Sequence, residues 1–161
     1  MTLLDYSSDE IAKVAGAVMV SGMAVAMVDM GVVSTAIEAA AMAKEVAGAS
    51  KKYPNNTIIQ TLFSEEAVEK AKADKTPKIE IKAEDMKPDT AVNTAINAIT
   101  EALAVLSTKA TPEEIRQYKE FIYSCAETVA NAAGSGLFGT GEKVSPSEAA
   151  ALAQLKAVLE L

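Results

Sequence analysis

At 161 residues, half of them apolar and 23% charged, the chain has the size and make-up of one globular domain. A net charge of −7 and a pI near 4.7 argue against nucleic acid and anionic membrane as partners. Histidine is absent, which removes the commonest general base and metal ligand, and the lone Cys125 permits no intrachain disulfide and points to a reducing, cytoplasmic setting.

Aromatic residues make up 4% of the chain, with no Trp, so the core has to be built from Ala, Val, Ile, Leu and Met. Such small side chains suit closely packed helices better than a sheet sandwich. The start, "MTLLDYSSDEIAK", is acidic and polar, unlike the basic opening of a signal peptide. A first helix is expected from about Ser8 to Asp29. Its uncharged stretch, "VAGAVMVSGMAVAMV", falls short of a membrane span and reads as the central helix of a bundle. Its methionines (Met19, Met23, Met27), with Met30 and Met42, fall at core spacing, although exposed ones would suit a partner helix.

A second helix opens at "STAIE", where Thr35 and Glu38 have capping-box spacing, and is expected to stop near Gly48. A turn at "KKYPNN" leads to a short helix over Ile58, Ile59, Leu62 and Phe63, and another starts at Ser64. Between residues 65 and 89, 14 side chains are charged. There "KTPKIEIKAEDMKPD" alternates Ile79 and Ile81 with charges and reads as an extended, exposed connector.

After Pro88, Val92, Ile96, Ile99, Leu103 and Leu106 form a helical stripe. "TPEE" from Thr111 to Glu114 is a helix start whose buried face takes Ile115, Tyr118, Ile122, Cys125 or Ala126, and Val129. "SPSE" opens the last helix, with Ser145 as cap, Glu148 closing a capping box, and Leu152, Leu155 and Leu159 as its face. The expected fold is therefore all-α: a single-domain bundle of about seven helices. The glycines of "GSGLFGTGEK" serve a long inter-helix loop, and the stretch lacks a phosphate-loop signature.

"AVAMVDMGVVSTAIEAAAMAKEV" and "TVANAAGSGLFGTGEKVSPSEAAALAQLKAV" share one plan. Each is an Ala/Val-rich helix end, a Gly-containing loop, a Ser/Thr start with Glu, and an Ala-rich second helix. Asp29 falls opposite Ala133 and Glu38 opposite Glu148. This suggests an internal duplication, with a first half-repeat over about 9–65, the charged connector over about 65–89, and a second half over about 90–161.

Through Asp29, Gly31, Ser34 and Glu38 in the first half, and Gly134, Ser145 and Glu148 in the second, the chain resembles the tellurite-resistance TerB-like proteins of bacteria. The likeness covers about residues 11–65 and 112–160. Met30 intrudes between Asp29 and Gly31, Ser34 and Glu38 are one residue further apart than Ser-x-x-Glu, and the second half lacks the Asp. The resemblance implies an all-helical, internally duplicated domain whose acidic loops gather a divalent cation, Ca²⁺ or Mg²⁺, in a stress response.

The metal candidates are then Asp29, Glu38, Glu142 and Glu148. Each also has a purely structural reading: Asp29 as partner of the amides opening the next helix, Glu38 and Glu148 as capping residues, Glu142 as a solvated loop charge. No nucleophile–base pair is visible, so catalysis is not expected. Two functions stay open: a cation-binding TerB-like accessory protein, and a helical interaction module with a protein partner, self-association included.

Overall fold

Helix starts are set by side chains that accept otherwise unpaired amides. In the computed structural model, which describes residues 6–28, 35–73, 81–133 and 144–161, the Ser7 hydroxyl accepts from the Glu10 amide at 3.2 Å. The Ser7 amide donates back to Glu10 at 2.7 Å. That box opens α1 (Ser8–Val28). α2 (Thr35–Lys52) follows, then α3 (Thr57–Phe63), capped by Asn56, and α4 (Glu65–Ala73), with Ser64 accepting from Ala67. α5 (Ala91–Ser107), α6 (Pro112–Ala133) and α7 (Pro146–Leu159) complete seven α-helices, and no strand occurs among the described residues.

Three local expectations need correction. α2 does not stop at Gly48 but runs on to Lys52, because nothing forces Gly48 out of helical geometry; the chain turns only ahead of Pro54. The buried centre of α5 is Ala91, Ala95, Ile99, Ala102 and Leu106, with Val92, Ile96 and Leu103 half-buried beside it. Small residues take the centre because α1 lies along them. The stretch expected to be extended contains a 3₁₀ turn at Ala83–Met86, with Met86 buried and Ile81 half-buried against the core. Residues 74–80 lie outside the described residues.

α1 is the central helix. α5, α6 and α7 pack around it, while α2 packs chiefly on α6. Among the described residues it is the one helix long and apolar enough to cross a membrane; here Val14, Ala17, Val18, Val20, Ala24 and Val25 are buried in the bundle. Contacts along the helices fix their directions. The Tyr118 hydroxyl donates to the Val14 carbonyl at 2.7 Å. A Cβ on Gly22 would lie 3.4 Å from Val129 Cγ2. Early residues of α1 thus meet early residues of α6, and late meet late: the two helices run parallel. α2 returns antiparallel to α6, with Glu45 bonded to Ser124 and Tyr53 against Phe121. α7 does the same, Lys156 lying over Tyr123 and Glu160 pairing with Lys119.

One aromatic cluster forms where Phe121 meets Phe63 edge-on at 5.0 Å and Tyr53 at 6.3 Å. On α6, Phe121, Cys125 and Ala126 are all fully buried, whereas Ile115 is only half-buried.

Two helical glycines, Gly22 and Gly48, should respond differently to alanine. A Cβ on Gly48 would meet nothing within 4 Å, so Gly48→Ala should stabilise by about 0.5–1 kcal/mol through helix propensity. At Gly22 the added Cβ would sit 2.5 Å from Met42 Sδ. Gly22→Ala must displace that buried side chain and should gain less or lose stability. Chemical denaturation of both variants gives the comparison directly; an equal gain in the two would contradict the close approach at Gly22.

Candidate functional site

Parallel α1 and α6 end together, and α2 and α7 begin at that same end. Glu38 stands in the first turn of α2 and Glu148 in the first turn of α7, so the two carboxylates that the sequence pairs across its halves share one end of the bundle. Val28, the last residue of α1, lines one cleft with Ser147, Ala150 and Ala151 of α7, which places the start of α7 beside the end of α1. Asp29 follows directly in the chain. Asp29 and Glu142, the other two metal candidates, lie outside the described residues, as do Gly31, Ser34 and residues 134–143.

Both described candidates are buried, Glu38 at 2% and Glu148 at 1% exposure. Burying a carboxylate is costly unless its oxygens are engaged. Glu148 closes the expected capping box: its Oε2 accepts from the Ser145 amide at 2.8 Å, and its own amide donates to the Ser145 hydroxyl at 3.2 Å. Pro146 takes the first helical position, where its missing N–H costs nothing. For Glu38, Oε2 is buried with no hydrogen-bond partner among the described residues. The positive end of the α2 dipole offsets part of the cost, yet an acceptor oxygen is left over.

A third buried carboxylate shows what full satisfaction looks like, and sequence reasoning missed its reach. Glu114 is 9% exposed. Its Oε2 accepts from the Thr111 amide at 2.9 Å and hydroxyl at 2.8 Å, the capping box legible in "TPEE". Its Oε1 accepts from the Thr57 amide at 3.1 Å and from the Thr57 hydroxyl. One carboxylate therefore serves the start of α6 and the start of α3 together. Asn56 completes the junction, accepting from Ile59 and donating to the Glu114 carbonyl at 3.0 Å and to Gln117 at 3.2 Å. Burial alone would raise the Glu114 pKa, but the Thr57 and Thr111 donors together pull it down to about 2. The "NNT" following Pro54 is the only sequence signal of this junction, and its partner is distant along the chain.

Further groups decide what chemistry is open. Cys125 is buried and its thiol is pushed far above the ordinary range by that burial, the opposite of a reactive thiolate. Ser124 donates to Glu45 at 2.5 Å and accepts from Lys52 at 3.0 Å. Burial works against the Lys52 charge, yet the neighbouring Tyr53 and Glu45 raise its pKa, so it stays an ammonium and is no base for Ser124. The cluster ties α2 to α6. Among the described residues no three His, Cys, Asp or Glu side chains come together as a metal cage. The available ligand chemistry is oxygen only, which suits hard cations.

Comparison of the chain with protein-family models, curated proteins and solved structures finds no match in any of the three.

The Glu114 junction sets a pH dependence. With a folded pKa near 2 against an ordinary value of 4.5, Glu114 contributes stability that is complete above pH 4.5 and is lost as the pH falls toward 2. The shift corresponds to about 3 kcal/mol. Glu114→Gln should cost a similar amount at pH 7, because an amide nitrogen cannot accept from either Thr pair, and the deficit should shrink steadily below pH 4.5. Urea melts of both proteins across that range measure it; a deficit independent of pH would contradict the ionised, four-donor arrangement.

Proposed function

We propose that this chain is a non-enzymatic, TerB-like accessory protein of the cytoplasm. In this reading it holds a divalent cation, Ca²⁺ or Mg²⁺, at the bundle end where α2 and α7 begin, and serves a tellurite or related stress response. One observation carries the reading: Glu38 and Glu148 both stand in first helical turns at a common end, both buried, and Glu38 Oε2 has no hydrogen-bond partner among the described residues. A buried acceptor without a donor calls for an explanation, and a hard cation is a chemically suitable one. Ca²⁺ takes six to eight oxygens, more than two carboxylates provide. The proposal therefore needs Asp29 and Glu142, together with carbonyl or water oxygens, to complete the set.

A second reading, a helical protein-interaction module whose acidic residues act only as caps, draws on the exposure of Met19 and Met23 on α1.

Thermal melting with and without millimolar Ca²⁺ or Mg²⁺ separates the two. Under the cation reading the wild type should be stabilised by about 2.7 kcal/mol when metal exceeds its Kd a hundredfold. Glu38→Gln should abolish that gain while leaving the metal-free protein as stable or more so, since it removes a buried charge. Glu148→Gln retains an acceptor for the Ser145 amide and should likewise lose the metal response. No metal shift in the wild type, or equal shifts in all three proteins, removes the cation site and leaves the interaction module.

A further inference from the structure

Four large apolar side chains are exposed among the described residues, namely Met19, Met23, Ile37 and Leu161, and two of them are neighbours one turn apart on α1. Met19 is 46% and Met23 42% exposed, on a helix whose other large apolar side chains are buried or half-buried. Gly22 faces Met42 of α2. At about 100° per residue, Met19 and Met23 lie roughly 60° and 100° around α1 from that contact, in the sector next to α2.

α2 presents exposed Ala40, Ala43 and Ala47 with Lys44 and Lys51. Lys44 and Lys51 are two turns apart on one side of the helix. Within residues 11–52, the exposed charges among the described residues are Lys44, Lys51 and Lys52. Lys52 pairs with Glu45 at 3.3 Å, whereas Lys44 and Lys51 have no ion-pair partner among the described residues. A chain of net charge −7 thus carries an apolar strip edged by unpaired positive charge.

We propose that the α1–α2 face is a docking surface for an amphipathic helix of a partner protein, with an apolar side that covers Met19 and Met23 and carboxylates two turns apart that meet Lys44 and Lys51. Methionines adapt to varied apolar shapes, and the alanines of α2 let a helix approach closely. Charge selects this occupant over the alternatives. A second copy laid face to face would bring lysine rims together, and an anionic bilayer would repel the rest of the molecule. The inference stands independently of any cation site, since it uses neither Glu38 nor Glu148.

The test is an amide NMR titration of the full chain with a synthetic amphipathic helix. The peptide has a Leu/Ala face and two Glu residues spaced as Lys44 and Lys51 are; a matched peptide carries Lys in their place. The Glu peptide should shift amides of α1 and α2 around Met19, Met23, Lys44 and Lys51. The double variant Lys44→Glu, Lys51→Glu should bind it roughly tenfold more weakly, two exposed pairs being worth about that much, and should prefer the Lys peptide instead. Both lysines are exposed, so the variant should still fold, with a slightly lower melting point because Lys51 stands in the last turn of α2. Equal binding of the two peptides, or no shifts in α1 and α2, would overturn the proposal. So would self-association abolished by Met19→Ser, Met23→Ser, or co-sedimentation with phosphatidylcholine–phosphatidylglycerol vesicles.

Discussion

The rest of the architecture depends on the parallel packing of α1 against α6. A wholly buried tyrosine hydroxyl needs a partner, and Tyr118 finds one in the Val14 carbonyl at 2.7 Å. Further along, Gly22 lets Met42 and Val129 close over α1. These two contacts fix the direction of both helices, and direction decides everything at the far end. Had α6 run antiparallel to α1, α2 and α7 would begin at opposite ends and Glu38 and Glu148 could not share a site. The geometry behind the functional reading is thus a consequence of helix direction, reached without any metal ligand being invoked.

Three buried carboxylates then divide by how their oxygens are used. Glu114 takes donors on both oxygens and joins two helix starts; its depressed pKa is the electrostatic signature of that satisfaction. Glu148 spends one oxygen on its own cap. Glu38 keeps an oxygen without a hydrogen-bond partner among the described residues. All three sit in first helical turns, so the helix dipole favours each alike and cannot account for the difference. What separates them among the described residues is the supply of nearby N–H and O–H groups: abundant at Glu114, where threonines flank it on two elements, and scarce at Glu38.

Most of the fold was legible because local signals were strong and agreed with one another. "SPSE" and "TPEE" contain their own capping partners within one turn, and the leucines of α7 fall on its buried side as their spacing requires. The failures have physical causes. The stripe on α5 was misplaced toward its larger residues, because periodicity weights bulk, whereas the closest helix contact selects alanine. Gly48 was read as a stop because Gly commonly ends helices, although an exposed helix interior tolerates it at a cost of about 1 kcal/mol. The Glu114–Thr57 junction was invisible, since nothing local links residues 57 positions apart. The candidate site was legible only as composition: acids at repeated positions could be named, but burial and a common end required helix directions that no single helix encodes.

The isolated position of Asp29 in the sequence follows from the same packing. The uncharged run Val14–Val28 is roughly 22 Å of helix at 1.5 Å per residue, enclosed by α5, α6 and α7. A charge at its enclosed positions, Val14, Ala17, Val18, Val20, Ala24 or Val25, would be buried without a partner, at a cost of several kcal/mol. At its start the run is bracketed by Lys13, which pairs with Glu101 at 3.3 Å near the bundle surface. In the sequence charge returns directly after Val28, and that is the end at which α2 and α7 begin with Glu38 and Glu148. A long neutral central helix therefore concentrates carboxylates at one end: it excludes them from its own length, while the helices returning from that end favour acids in their first turns. The location of the acidic end thus follows from the neutrality of the buried side of α1.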